Sequence, residues 1–101
     1  MKEFEDIVGY KFKDKSLIKT AMTHSSYANE NKSARSYERL EFLGDAILGF
    51  VTADFLYCNR KNAEGDLTKM RAALVCEPNL ALVAENLGLG RFLLLGKGEE
   101  L

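Results

Sequence analysis

The sequence predicts an all-α protein, and three observations carry that prediction. Apolar residues recur at three- and four-residue spacing through most of the chain. Cap-forming residues stand where those patterns begin, and glycines or polar breakers stand where they end. The one run with strand character, "RFLLL" at 91–95, is isolated and has nothing to pair with.

In chain order, a first short helix runs from about Glu3 to Val8 and stops at Gly9. Asp14 is placed to cap a second helix, Lys15 to Thr23, whose apolar face is Leu17, Ile18, Ala21 and Met22. "HSSYANENKSARS", 24–36, is polar and rich in cap formers, and reads as loop. A long helix follows from Ser36 to Tyr57, broken by "CNRKNAEGD". Asp66 to Cys76 is a fourth helix, with Leu67, Met70, Ala73 and Leu74 spaced for burial. Pro78 suits the first turn of a fifth, which ends at Gly88. The closing "GKGEEL", 96–101, has the look of a loop entering a further element.

Length and composition narrow the class. At 101 residues the chain is one domain at most, with 47% hydrophobic and 29% charged residues, an ordinary globular balance. The net charge of −1 provides no global basic field, so any nucleic-acid contact must come from local clusters. No run approaches the ~18 apolar residues of a membrane span, and the acidic N-terminus is unlike a signal peptide, so a cytoplasmic protein without membrane contact is expected. Cys58 and Cys76, with His24 as the one further soft ligand, are too few for a zinc site and read as reduced core thiols.

The chemistry concentrates in the long helix. At about 100° per residue, Glu38, Glu41 and Asp45 fall within a ~60° arc. Like charges at those spacings oppose one another. The helix dipole favours Glu38 and Glu41 near the N-terminus but does not reach Asp45. Asp45, between Leu43, Gly44, Ala46 and Ile47, reads as half-buried and in need of a partner, and no Lys or Arg stands one turn away. Spacing alone leaves two readings open: a hard divalent cation, or a solvated acidic stripe. Gly44 and Gly49 are costly in a helix and call for a close neighbour. That neighbour is either another part of the chain or a bulky residue such as Phe42 from a symmetry-related copy.

"ERLEFLGDAIL", 38–48, strongly resembles the signature of the ribonuclease III family, metal-dependent nucleases that cut double-stranded RNA. "LIKTAMTHSSYANE", "EGDLTKMRAALV" and "LALVAENLGLGRFLLLGKGEE" resemble the flanking segments in the family's order, so the likeness spans almost the whole chain. The resemblance implies an endonuclease-domain helical bundle and an Mg²⁺ cofactor, with Mn²⁺ as the alternative ion. It makes Glu41 a metal ligand and gives Asp45 a part in organising the metal and the attacking water. Glu38 and Glu64 become members of the acidic cleft or RNA contacts, and Phe42 with Gly44 belongs to a homodimer interface. Tyr37 stands where many members carry asparagine. Carboxylate-bound metal would activate water, neutralise the phosphoryl oxygens and assist the leaving 3′-oxygen. A-form shape and 2′-hydroxyls would select double-stranded RNA. Lys32, Arg35, Arg60, Lys61, Lys69 and Arg71 are candidate phosphate contacts. His24 is expected to be a hydrogen-bonding structural residue rather than a base.

One part of the family pattern is missing. Members complete each metal site with an aspartate and a glutamate three apart on a later helix, and no Asp-x-x-Glu follows Asp66. The double-stranded-RNA-binding domain that usually follows is also absent. Residues 1–101 are therefore expected to be the N-terminal portion of the catalytic domain, truncated from a longer enzyme. The alternative is a catalytically incompetent module of the same fold, used for dimerisation or RNA binding.

Overall fold

Six α-helices and two 3-10 turns form along residues 1–99, the part of the chain that the computed structural model describes. α1 (Lys2–Val8) ends where Gly9 adopts the left-handed conformation at φ 70°, its N–H donating to the Glu5 carbonyl. α2 (Lys15–Ala21) begins at Asp14, whose carboxylate accepts the Ser16 N–H at 2.9 Å. α3 (Ser25–Glu30) lies inside the stretch expected to be loop. His24 explains it: the ring Nδ1 accepts the Ser26 N–H at 3.1 Å and so caps the helix, a role that pattern rules reserve for Ser, Thr, Asp and Asn.

α4 (Glu38–Asn59) is the long helix, shifted two residues C-terminal of the expected span. α5 (Glu64–Val75) starts ahead of Asp66, which places both Glu64 and Asp66 in a first turn that favours negative charge. α6 (Glu77–Leu87) carries Pro78 in its first turn and ends at Gly88, φ 68°. The 3-10 turns are Leu89–Phe92 and Lys97–Glu99. The expectation that 96–101 enters a further element falls partly on Glu100 and Leu101, outside the described residues.

The core sits at one end. Phe4, Ile18 and Met22 are buried there, with Phe12, Leu89 and Phe92 packed around them. The Phe4 and Phe92 rings meet edge to face, 5.6 Å between centroids. Glu5 is buried beside this cluster and compensated twice, by the Lys15 ammonium at 2.6 Å and the Phe12 N–H at 2.5 Å. Of the expected α2 face only Ile18 and Met22 are inside. Leu17 and Ala21 are exposed, because the neighbouring layer covers one flank of the helix.

"RFLLL" does find a partner, though a small one. Leu94 forms a single parallel bridge with Thr23, donating to the Met22 carbonyl at 2.7 Å and accepting the His24 N–H at 3.0 Å. On the other side of the 22–24 segment, the Tyr37 N–H donates to the Thr23 carbonyl at 2.9 Å. Among the described residues this is a bridge and not a sheet.

α4 packs on α5, α5 on α6, and α6 on the first 3-10 turn. Leu56 is the buried anchor of α4. On α5, Leu67 and Met70 are half-buried while Ala73 and Leu74 stay exposed, against the expected four-residue face. Cys58 and Cys76 are free and exposed rather than core thiols, since one lies in the last turn of α4 and the other at the α5–α6 junction.

Candidate functional site

The start of α4 opens into a recess of about 250 Å³, lined by His24, Ser25, Ser36, Tyr37, Glu38 and Glu41. Local hydrogen bonding explains why these residues meet. The Tyr37–Thr23 bond ties the chain entering α4 to the chain entering α3, and the His24 and Tyr37 rings pack at 5.9 Å. Ser26 then fixes the imidazole. Its hydroxyl lies 2.7 Å from His24 Nδ1, while the same oxygen accepts the Gly96 N–H at 2.9 Å. Because Nδ1 accepts the Ser26 N–H, the ring proton of neutral His24 sits on Nε2. His24 is thus a structural hydrogen-bonding residue, as its setting in "THSS" predicts.

Glu38 and Glu41 line the recess, and Asp45 follows Glu41 one turn along the same stripe. All three are exposed. Asp45 thus shares an exposed face with Glu38 and Glu41, as their spacing predicts, and is not the half-buried carboxylate that its apolar neighbours suggest, since none of the described residues covers this part of α4. Gly44 and Gly49 have open space where a Cβ would stand, so no part of the described chain is the close neighbour expected there. Phe42, on the flank of the stripe, is 84% exposed.

Glu64 is not brought to the recess. The 60–63 link is short, so α5 runs back along α4, and Glu64 begins it at the far end. At ~1.5 Å per residue that end lies about 27 Å along the helix axis from Glu41. Of the candidate phosphate contacts, Arg35 lines a second recess, described below. Lys32, Arg60, Lys61, Lys69 and Arg71 stand exposed and line neither recess. Lys19, which lines that second recess with Arg35, was not legible in sequence, because it sits within an ordinary amphipathic helix.

A family model described as Ribonuclease-III-like matches residues 14–101. The chain belongs to the ribonuclease III family. Curated ribonuclease III relatives agree. The "Ribonuclease 3" of Caldanaerobacter subterraneus subsp. tengcongensis is 54% identical over 99 residues, covering 96% of this chain and 43% of the relative. That of Oceanobacillus iheyensis is 50% identical over 103 residues, covering 99% and 45% respectively. The chain thus spans less than half the length of these relatives. Among solved structures, a nuclease domain of ribonuclease III from Campylobacter jejuni superposes with a TM-score of 0.84 at 46% identity. The match covers 96% of this chain and 66% of that one, which is described as showing structural flexibility in a region involved in dimer formation. The all-α fold is thus that of a ribonuclease III nuclease domain, of which this chain matches about two thirds.

The family implies a divalent metal, and the carboxylates can be tested against one. Glu41 and Asp45 offer the hard oxygen donors that Mg²⁺ takes, but the ion demands six oxygens in near-octahedral order. Among the described residues no three His, Cys, Asp or Glu side chains converge on one point. Two exposed carboxylates leave the ion held mainly by water. The donors among the described residues do not complete an Mg²⁺ or Mn²⁺ site.

Proposed function

We propose that this chain is the N-terminal portion, residues 1–101, of the catalytic domain of an endoribonuclease that cleaves double-stranded RNA. The observation that carries this reading is the intact Glu38–Glu41–Asp45 stripe, open at a recess in a chain of the ribonuclease III family. In the full-length enzyme, water attacks a backbone phosphorus and the bond to the 3′-oxygen breaks, leaving 5′-phosphate and 3′-hydroxyl ends. Mg²⁺, with Mn²⁺ as the alternative, is the ion assigned to that enzyme, whose other ligands come from outside these residues. Glu41 and Asp45 contribute donors, and Glu38 and Glu64 contribute to the acidic cleft. The cytoplasm is the compartment assigned to it; among the described residues no helix is long and apolar enough to cross a membrane.

The partner is a second copy, related by a two-fold axis across α4 with Phe42 inserted and Gly44 at the contact. Such an axis sets the two α4 helices antiparallel. Where that axis crosses near the middle of α4, the far end of one copy lies beside the acidic end of the other, and Glu64 then joins the partner's cleft. The exposure of Phe42 and the open space at Gly44 support this arrangement.

The absence of a converging metal set among the described residues favours a second reading for the 101-residue chain taken alone: an incompetent dimerisation or RNA-binding module. A gel assay on a long RNA duplex, with and without chelator, separates the two. The full-length enzyme should cut in Mg²⁺ and the 101-residue chain very slowly or not at all. Brisk, chelator-sensitive cutting by the short chain would show that its own residues complete the site.

A further inference from the structure

The geometry points to a phosphate pocket on the other side of the chain segments that wall the acidic recess. A cavity of about 290 Å³ lies between α2, α3 and the 31–35 turn, with Lys19 and Arg35 in its wall and no carboxylate. In a chain of net charge −1, two cations facing one cavity without an acid are a local departure. Neither is neutralised: the two ion pairs among the described residues are Lys15–Glu5 and Arg91–Glu3. A guanidinium presents a planar fork to phosphate oxygens, and an ammonium adds a mobile point charge.

The remaining wall is polar and largely hydroxylic. Two of its hydroxyls are already committed: Thr23 donates to the Lys19 carbonyl at 2.5 Å, and Ser16 donates to Asp14 at 2.6 Å. The Asp14 carboxylate holds Ser16 at the α2 cap and is not among the groups lining the cavity. Thr20, Tyr27 and Ser33 supply further hydroxyl donors around the two cations.

Position gives the pocket its meaning. Thr23 and Arg35 face it, while their chain neighbours His24 and Ser36 face the acidic recess. The Tyr37–Thr23 hydrogen bond closes the wall between the two. An anion held by Lys19 and Arg35 is thus fixed beside the carboxylate stripe without touching it. On the reading of this chain as part of a duplex-RNA nuclease, on which this last step rests, the anion is a backbone phosphate next to the one at the acidic recess. A free phosphate ion shares the same chemistry.

The test uses the whole 101-residue chain, its double variant Lys19→Gln/Arg35→Gln, and Glu41→Gln. Inorganic phosphate is titrated into each, following amide shifts by NMR, and RNA-duplex binding is measured across a salt series. In the parent chain, phosphate should shift the Lys19, Thr20, Ser33 and Arg35 amides, and the double variant should lose those shifts while Glu41→Gln keeps them. With RNA, the double variant should lose about tenfold in affinity. Its salt slope should fall by about two, one for each cation taken away from the RNA backbone. Phosphate shifts with unchanged RNA binding would support the pocket and assign it to the free ion, overturning the backbone assignment. A double variant that matches the parent with both probes would overturn the pocket. Absence of RNA binding by the parent chain would count against the nuclease reading alone, since the phosphate titration still decides the pocket.

Discussion

Glu5 shows how one residue can couple the fold to pH. Hydrogen bonding from Lys15, and then from the Phe12 N–H, holds its carboxyl below the ordinary value of 4.5. A depressed carboxyl contributes stability above its unfolded value and loses it as pH falls through the lower, folded value. Acid titration followed by circular dichroism should therefore show the core around Phe4 loosening below about pH 4, where unfolded glutamate protonates. Glu5→Gln should be less stable at pH 7 and should flatten that acid limb. Gly96 makes a second residue-scale case. A Cβ there would stand 2.9 Å from the Ser26 carbonyl oxygen and would run into the Glu30 carboxylate, whose Oε2 accepts the Lys97 N–H. Gly96→Ala should destabilise by about 1–3 kcal/mol in a denaturant melt, the usual cost of overpacking. If this chain is part of the proposed duplex-RNA endonuclease, Asp45→Asn in that full-length enzyme should abolish duplex cleavage while leaving the melt unchanged, because it removes charge but little volume from an exposed position.

At the scale of the element, α4 is apolar on two sides. Leu48 and Leu56 continue the line of the acidic stripe toward the buried half of the helix. On the same wheel, Leu43, Ile47, Phe50 and Val51 fall roughly opposite, and each is more than half exposed. A helix with an apolar face on each of two sides needs a second body to cover the face its own chain leaves open. That explains why its burial is so slight in a single copy. Phe42 offers the discriminating substitution. Because it is 84% exposed here, Phe42→Ala should barely move the denaturation midpoint of dilute monomer. In a two-fold dimer that buries it, the same change should cost about 3–5 kcal/mol for each copy. Sedimentation equilibrium of parent and variant, read against their melts, separates the two outcomes.

The whole molecule carries the same signature. Its radius of gyration is 16.0 Å and its longest extent 48 Å, where a compact domain of this length would have a radius near about 12.7 Å. One core lies around α1, α2 and the first 3-10 turn, and α4 with α5 extends away from it. With a net charge of −1 there is little repulsion to keep copies apart. The isolated chain should therefore associate as concentration rises. Light scattering across a dilution series should show it, and a strictly monomeric species at micromolar concentration would contradict the two-sided reading of α4.

Local chemistry was sufficient for much of this protein. Gly9 and Gly88 as left-handed stops, Asp14 as a cap and the 38–41–45 stripe are all decided within a few residues of chain. Helical spacing and capping depend only on near neighbours, so they are legible in the sequence. The tertiary structure alone decided what lies across the chain. α3 depends on an imidazole cap that is itself held by Ser26 and Gly96, seventy residues further on. The acidic recess depends on Tyr37 reaching Thr23, and the basic pocket depends on Lys19 meeting Arg35. Asp45 and both cysteines are exposed because burial is set by what covers a residue, which no local pattern of apolar neighbours encodes.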